Sequence, residues 1–88
     1  MRITFSSRAF DQYIQWQRED AKIAARINEL LVATMRQPFT GIGKPEPLRN
    51  EYASFWSRRI TQEHRLVYRV TGTGEAQTLE VAACRFHY

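Results

Sequence analysis

The sequence predicts an α+β domain with the element order β-α-α-β-β-β, in which an antiparallel sheet carries a two-helix hairpin on one face. Apolar residues recur with helical spacing over the first 36 residues, a segment rich in proline and glycine follows, and from about residue 53 the pattern changes to the two-residue alternation of strands. The 88 residues, 43% of them hydrophobic, suffice for one core, so we expect residues 1–88 to form a single domain.

The N-terminal half predicts one strand and two helices. Residues 2–5 alternate as a short strand, and the serine pair at 6–7 can cap a helix over about 8–19. The apolar stripe of that helix is predicted to be Phe10, Tyr13, Ile14 and Gln17. Asp20 is the cap candidate of a second helix over 21–36, and almost no linker separates the two helices, which predicts a hairpin. The second stripe is Ile23, Ile27, Leu30 and Leu31.

Residues 37–50 predict a shaped loop, because three prolines and two glycines lie within this segment. A loop this long in a small domain is more often functional than idle. Glu46 stands between Pro45 and Pro47, which stiffen the backbone and hold its carboxylate in a defined direction, as a general base requires. The competing interpretation is a solvated glutamate in a rigid turn, and the composition alone favours it.

The C-terminal half predicts strands over about 53–61, 64–71 and 78–88, the last being one strand or two, with a turn at 72–77. Alternation in the second of these strands separates two faces. The residues predicted to face the helices are Leu66, Tyr68 and Val70. The residues predicted on the opposite face are Arg65, Val67 and Arg69.

The net charge of +4 comes mainly from arginine, which supplies eleven of the thirteen basic side chains. The arginines on predicted strands are Arg58, Arg59, Arg65, Arg69 and Arg85. Alternation puts the first two on opposite faces, and an arginine row on the helix-free face would bind a phosphodiester backbone. The competing interpretation is ordinary surface arginine. Its acidic partners would be Glu51, Glu63 and Glu80.

The C-terminal segment Arg85-Phe86-His87-Tyr88 offers a general acid, because the nearby terminal carboxylate favours the protonated form of His87. The competing interpretation is a frayed terminus without a role. Strict alternation places His87 with the apparent core residues Leu79, Val81 and Ala83. A catalytic His87 therefore requires a bulge or a twist near the end of the last strand.

Several classes of protein are disfavoured. No segment approaches the ~18 apolar residues of a membrane helix, and the N-terminus has no signal-peptide pattern. Cys84 is the single cysteine, which excludes an internal disulfide and suits a reducing cytoplasm. Two histidines are too few for a convincing zinc site, so we expect no metal and no cofactor, and we interpret His64 and Cys84 as structural.

Three segments together closely resemble the YoeB toxins of the RelE/ParE superfamily. They are Pro38-Phe39 with Gly41-Ile42-Gly43-Lys44-Pro45-Glu46-Pro47-Leu48, then Phe55-Trp56-Ser57-Arg58-Arg59-Ile60-Thr61 with Glu63-His64-Arg65-Leu66-Val67-Tyr68, and Ala82-Ala83-Cys84-Arg85 with His87-Tyr88. The resemblance covers essentially the whole chain. It implies a RelE-like fold and a type II toxin that cleaves mRNA in the ribosomal A site, without a metal, leaving a 2′,3′-cyclic phosphate.

The resemblance also implies roles for individual residues. Glu46 would be the general base, Arg65 would stabilise the transition state, and His87 would be the general acid. The implied substrate-binding residues are Lys44, Arg49, Arg59 and Tyr88. Arg49 stands where the family often has lysine, and the 72–77 loop looks longer than in the family.

The implied partners are a YefM/Phd-type antitoxin, mRNA and the 70S ribosome, and the small size also suits a homodimer. Two alternatives act by binding alone: a ParE-like toxin that poisons DNA gyrase, and a ribosome-binding module in which Glu46 has no role. The pairing of Glu46 with His87 argues against the first, since that branch lacks the base and acid.

Overall fold

The computed structural model describes residues 1–86 and packs two helices on one face of a five-stranded sheet, which confirms the α+β class. The elements are β1 (Arg2–Phe5), α1 (Ser7–Glu19), α2 (Ala21–Arg36), β2 (Glu46–Pro47), β3 (Trp56–Arg59), β4 (Arg65–Thr71) and β5 (Thr78–Ala83). Short 3-10 turns, Asn50–Tyr52 and Gly74–Ala76, precede β3 and β5 respectively.

Side-chain caps begin both helices, as predicted. The Ser6 hydroxyl oxygen accepts a hydrogen bond from the Ala9 N–H at 3.0 Å, and a carboxylate oxygen of Asp20 accepts from the N–H groups of Lys22 and Ile23 at 3.1 and 3.2 Å. Asp20 also ends α1, so a single residue joins the helices. The hairpin therefore follows from one capping residue that serves two helix ends.

The apolar stripe predicted for α2 is confirmed, but that of α1 is wrong at Phe10 and at Gln17, both of which are exposed. Ile27 and Leu30 of α2 are fully buried, whereas Phe10 is 52% exposed. The buried face of α1 carries Gln12 and Trp16 instead. Gln12 is buried because its side-chain oxygen accepts a hydrogen bond from a strand backbone N–H, a reason that hydrophobic periodicity cannot reveal.

The sheet has the strand order β1-β5-β4-β3-β2 and is mixed, which corrects the all-antiparallel prediction. β1 runs parallel to β5, with Arg2 opposite Thr78, while the other neighbouring strands are antiparallel. The alternation of side chains is the same for either direction, so it carries no signal of the partner's direction. The predicted loop contributes the additional strand β2, whose edge position tolerates Pro47 because proline cannot donate to a ladder.

The core lies between the helices and one face of β4 and β5. Its buried members are Ala9, Trp16, Ala24, Ile27, Leu30, Leu31, Ile60, Leu66, Tyr68, Leu79, Val81 and Cys84. Val70 packs against this cluster, so the predicted inward set of β4 is confirmed, and the opposite face of the strands remains free of helices.

We predict that Gly43→Ala lowers the free energy of unfolding by about 2–4 kcal/mol, because a left-handed alanine and an overfilled core each cost about 1–3 kcal/mol. Gly43 has φ +80°, and a Cβ there would lie 2.7 Å from a methyl carbon of Leu30. Gly74 is the matched control, since its φ is +55° and no atom lies within 4 Å of an added Cβ. Urea unfolding measures both, and equal losses would contradict a packing role for Gly43.

Candidate active site on the open face of the sheet

Glu46, Arg59 and Arg65 share the helix-free face of the sheet. Glu46 lies opposite Ser57 across the β2–β3 ladder, and Arg59 lies opposite Arg65 across the β3–β4 ladder. Directly opposed residues point to the same side, and so do residues two apart in one strand, which joins the three side chains through Ser57. One strand separates β2 from β4, so the backbones of the base candidate and of Arg65 stand about 10 Å apart laterally, and their side chains reach from the same face of the sheet.

Arg58 belongs to the opposite face and is fully buried, so it cannot contribute to a basic surface. Its guanidinium donates to the carbonyl oxygens of Gln37, Thr40 and Ile42, the last two at 2.8 and 2.9 Å. Its Nε donates to the Tyr68 hydroxyl at 3.2 Å. Within residues 1–86, no carboxylate forms an ion pair with Arg58. The residue is therefore a structural clamp on the 37–43 segment.

Tyr68 extends the clamp from the middle of β4. Its hydroxyl donates to the Pro38 carbonyl at 2.6 Å while it accepts from Arg58. Burial raises the pKa of Tyr68, and the neighbouring Arg58 only partly offsets that effect, so the phenol keeps the proton that it donates. Nothing in the sequence pattern singled out Tyr68 for this role, because an aromatic residue at an inward strand position indicates only packing.

Backbone hydrogen bonds on either side of Glu46 join the loop to β3 and to Phe55, the residue that precedes β3. The carbonyl of Gly43 accepts from the Arg59 N–H, and the Leu48 N–H donates to the Phe55 carbonyl at 2.8 Å. Glu46 itself pairs in the ladder, and its side chain is exposed on the open face. The loop thus presents its carboxylate from a backbone fixed at both ends, as the prolines predicted.

Lys44 and Arg49 flank Glu46 in the chain, and both are exposed. Lys44 has a left-handed φ of +55°, and Arg49 caps the turn Asn50–Tyr52. No described residue accepts a hydrogen bond from either side chain. Both cations are therefore available to an anionic ligand beside the carboxylate.

Arg65 is held by the turn that precedes β4. Its Nη1 donates to the carbonyl oxygens of Thr61, Gln62 and His64 at 2.7, 3.0 and 3.1 Å. No acceptor among residues 1–86 engages its Nε or Nη2. One edge of the guanidinium is fixed by carbonyl groups, and the other edge is free to take the bidentate contact that arginine makes with phosphate.

Arg59 and Arg65 are like charges placed directly opposite each other. Such a cross-strand pair destabilises a sheet by a few tenths of a kcal/mol up to about 1 kcal/mol. Arg59 is exposed, whereas Arg65 is half-buried and donates to the three backbone carbonyl oxygens named above. A pair that repels in the free protein becomes favourable when an anion lies between its members, which is typical of a phosphate site.

The end of β5 contains the irregularity that a catalytic His87 requires. Tyr68 pairs with Val81 but Val67 pairs with Ala83, so Ala82 is an extra residue in β5. This bulge moves Ala83 to the open face with Val67 and brings Cys84 into the core. Strict alternation therefore fails at this bulge, although Ala83 itself is buried, as predicted. His87 and Tyr88 themselves lie outside the described residues.

Two residues of α1 hold the chain after the bulge. The Cys84 N–H donates to a Gln12 side-chain oxygen, and the Trp16 indole N–H donates to the Cys84 carbonyl, both at 2.8 Å. The next two residues form bends, and Phe86 has a left-handed φ of +62°. Sequence reasoning missed Gln12, since a buried glutamine has no pattern that marks its partner.

Arg69 and Arg85 form ion pairs with acidic side chains. For these two residues the competing interpretation, ordinary surface arginine, therefore holds. Arg69 donates to Glu80 at 2.9 Å, and Arg85 donates to Glu19 at 2.9 Å. The Thr71 hydroxyl also bonds Glu80, and this contact together with Arg69 lowers the pKa of that carboxyl. Arg69 shares the open face with Arg65 but is paired there, so the open-face arginines without an acidic partner among residues 1–86 are Arg59 and Arg65.

Other chemistry finds little support in the described part of the chain. Burial raises the pKa of the Cys84 thiol to about 12, so the thiolate that a nucleophile requires does not form near neutrality. Residues 1–86 hold no cluster of three potential metal ligands. Over the same residues, neither helix has the length and apolar character needed to cross a membrane.

Comparison with known proteins places this geometry in a family. Residues 5–88 match the family described as the YoeB-like toxin of the bacterial type II toxin–antitoxin system. The chain is 51% identical to toxin YoeB of Escherichia coli strain K12 over the full length of both. The chain belongs to the YoeB family of type II toxins. The resemblance read from the sequence motifs is thereby confirmed.

Solved structures agree with this assignment. A YoeB/ParE toxin from Agrobacterium tumefaciens is 52% identical and superimposes with a TM-score of 0.95 over the whole of both chains. Two structures from Staphylococcus aureus, both 43% identical, cover all of this chain and 98% of theirs: a YoeB dimer with a TM-score of 0.88 and a heterotetrameric YoeB–YefM complex with a TM-score of 0.87. The chain therefore has the same fold as these YoeB structures.

We predict that Arg59→Gln and Arg69→Gln change stability in opposite directions. Removing Arg59 relieves its repulsion with Arg65 and should raise the free energy of unfolding by up to about 1 kcal/mol at low salt. Removing Arg69 breaks the pair with Glu80 and should lower it by about 0.2–1 kcal/mol. Urea unfolding at low and high salt measures both, and both differences should shrink at high salt. A loss of stability in Arg59→Gln would contradict the like-charge pair.

Proposed function

We propose that this toxin is a metal-free endoribonuclease that cleaves mRNA in the ribosomal A site. The observation that carries the proposal is the register that brings Glu46, Arg59 and Arg65 together on the open face. A carboxylate beside two arginines, one of them oriented by backbone carbonyls, suits attack on a phosphodiester. His87, which follows the anchored Phe86 in the sequence, supplies the acid.

The reaction follows from these groups. The Glu46 carboxylate removes the proton of a ribose 2′-OH, and the 2′-oxygen attacks the adjacent phosphorus. Arg65 and Arg59 stabilise the negative charge that develops on the phosphorane oxygens. The bond between phosphorus and the 5′-oxygen breaks as His87 donates a proton to that oxygen. The products are a 2′,3′-cyclic phosphate and a 5′-hydroxyl end, and the mechanism cannot act on DNA because DNA lacks the 2′-OH.

Substrate binding in this proposal uses the exposed cations around the loop. Lys44 and Arg49 contact neighbouring phosphates, and Arg49 does so with the planar fork of arginine. Tyr88 offers an aromatic surface on which a base stacks. The predicted partners are the ribosome that presents the mRNA and a YefM-type antitoxin, and the complex known for the Staphylococcus aureus relative supports the antitoxin. The dimer of that relative supports self-association. The proposed site of action is the cytoplasm.

The second candidate is a toxin that arrests translation by binding the ribosome without cutting RNA. The exposed basic residues favour it, since Lys44, Arg49 and Arg59 would bind ribosomal RNA without any help from Glu46. The two candidates differ in what they require of Glu46 and His87.

We predict that His87→Gln and Glu46→Gln each lower the single-turnover cleavage rate of ribosome-bound mRNA by about 10²–10⁴-fold, the usual contribution of a general acid or base. Arg69→Gln is the control, because its side chain pairs with Glu80 outside the site, and it should cleave at the wild-type rate. Mapping 5′-hydroxyl ends on the mRNA measures cleavage. Translational arrest without new ends in the wild type would establish the binding toxin instead.

We predict in addition that a 2′-deoxy substitution at the scissile nucleotide abolishes cleavage while ribosome binding is unchanged. The substitution removes the nucleophile and leaves the phosphate and base contacts in place. Cleavage of the deoxy substrate at the normal rate would contradict the proposed mechanism.

A further inference from the structure

His64 makes an unusual contact with the chain that leads to the proposed acid. Its Nδ1 accepts a hydrogen bond from the backbone N–H of Phe86 at 2.8 Å. The carbonyl of Phe86 accepts from the backbone N–H of Arg65 at 2.8 Å. Both polar backbone groups of Phe86 are thus held by two consecutive residues at the start of β4. The second of these is the arginine assigned to the transition state.

The His64 ring is itself firmly placed. The residue is 8% exposed, and its ring packs edge-on against Trp16 with centroids 4.8 Å apart and lies 5.4 Å from the ring of Phe86. Its backbone N–H donates to the Thr61 hydroxyl at 3.0 Å. Because Nδ1 accepts a hydrogen bond, the ring proton resides on Nε2, which faces the exposed Glu63 at 3.6 Å. His64 is therefore a fixed acceptor aimed at one backbone donor.

The contact matters because Phe86 adopts a backbone conformation that needs support. Its φ of +62° is left-handed, a region that costs a non-glycine residue roughly 1–2 kcal/mol. The Phe86 side chain is 55% exposed, so side-chain burial does little to offset that cost. The two backbone hydrogen bonds to His64 and Arg65 are what hold the turn.

We propose that His64 is a positioning residue that orients the general acid through the backbone of Phe86. The proposal rests on the role assigned to His87 above. His64 touches neither the substrate nor the reacting atoms; it fixes the residue that directly precedes His87 and links it to Arg65. A proton donor displaced by about 1 Å loses on the order of 10²-fold in rate. The hydrogen bond from Phe86 to His64 therefore affects the rate by positioning the donor, although His64 transfers no proton itself.

The test compares two substitutions that differ in where they place an acceptor. In His64→Asn the side-chain oxygen is bonded to Cγ, as Nδ1 is, so it can accept from Phe86. In His64→Gln the oxygen lies one bond further out, at the position of Nε2. Both variants lose the imidazole ring, so the difference between them reports the acceptor. We expect the glutamine variant to cleave ribosome-bound mRNA about 10–10²-fold more slowly than wild type, and the asparagine variant to recover most of the rate.

Three readouts separate positioning from a general loss of stability. Thermal unfolding of both variants shows whether they are folded at the assay temperature. Hydrogen exchange of the Phe86 amide should be faster in the glutamine variant than in the asparagine variant. The apparent affinity for the programmed ribosome should be unchanged in both, because the effect is on the chemical step.

A double-mutant cycle with His87→Gln decides whether His64 acts through the acid. If it does, His64→Gln causes no further loss of the residual rate in the His87→Gln background. A loss of the same size in both backgrounds overturns the inference, and so does an asparagine variant as slow as the glutamine variant.

If the glutamine variant does not fold, the asparagine variant decides alone: a rate near wild type supports the acceptor role, and a rate as low as that of His87→Gln overturns it. A His87→Gln protein that cleaves normally contradicts the proposed function and leaves His64 with no acid to orient, whereas the outcomes named before it overturn the positioning role alone.

Discussion

A buried arginine, Arg58, organises this toxin, and none of the carboxylates in residues 1–86 pairs with it. Taking a guanidinium out of water costs free energy unless its nitrogens find acceptors. Each of the three Arg58 nitrogens donates a hydrogen bond, together to three carbonyl oxygens of the 37–43 segment and one phenol oxygen. The segment therefore closes over the sheet in one arrangement, because any other would leave the charge unsolvated. Tyr68 adds a second bond from β4 to the same segment, so two strands hold it. The loop that carries Glu46 begins where this clamp ends, at the contact between Gly43 and β3.

The two faces of the sheet differ in the side chains that they carry and in what these contribute to stability. The inner face carries the apolar core and the Arg58 clamp, whereas the outer face carries Arg59 and Arg65, a like-charge pair that does not stabilise the fold. Arg59 and Arg65 oppose each other, a local arrangement unfavourable for folding and favourable for binding an anion. Such a conflict between local stability and chemistry is typical of functional sites, and the surrounding ladder makes it tolerable. The carbonyl cradle of Arg65 and the clamp on Phe86 add orientation to that charge.

Local interactions made much of the fold predictable. Ser6 and Asp20 cap helices through bonds to residues two or three positions away, so the sequence reports both helix starts directly. The α2 stripe is equally local, since every fourth residue is apolar. Prediction failed where burial had a distant cause: Phe10 was placed in the core by its hydrophobicity, but Gln12 occupies that face because a backbone donor in the C-terminal segment needs an acceptor. The parallel pairing of β1 with β5 was also missed, because the alternation of side chains does not depend on the direction of the partner strand.

By itself the sequence determined the chemical inventory of this toxin: a carboxylate stiffened by two prolines, strand arginines, and a terminal histidine whose family pattern assigns it a role. Alternation also separated Arg58 from Arg59 correctly. Only the tertiary structure decided which of these groups work together, because register and bulges depend on pairings between residues far apart in the chain. The ladder from Glu46 to Arg65 passes through β3, and one extra residue in β5, Ala82, exchanges the faces of Ala83 and Cys84. The two-residue alternation of the sequence does not show where such an extra residue is inserted. The bulge nevertheless changes the direction in which the chain leaves β5.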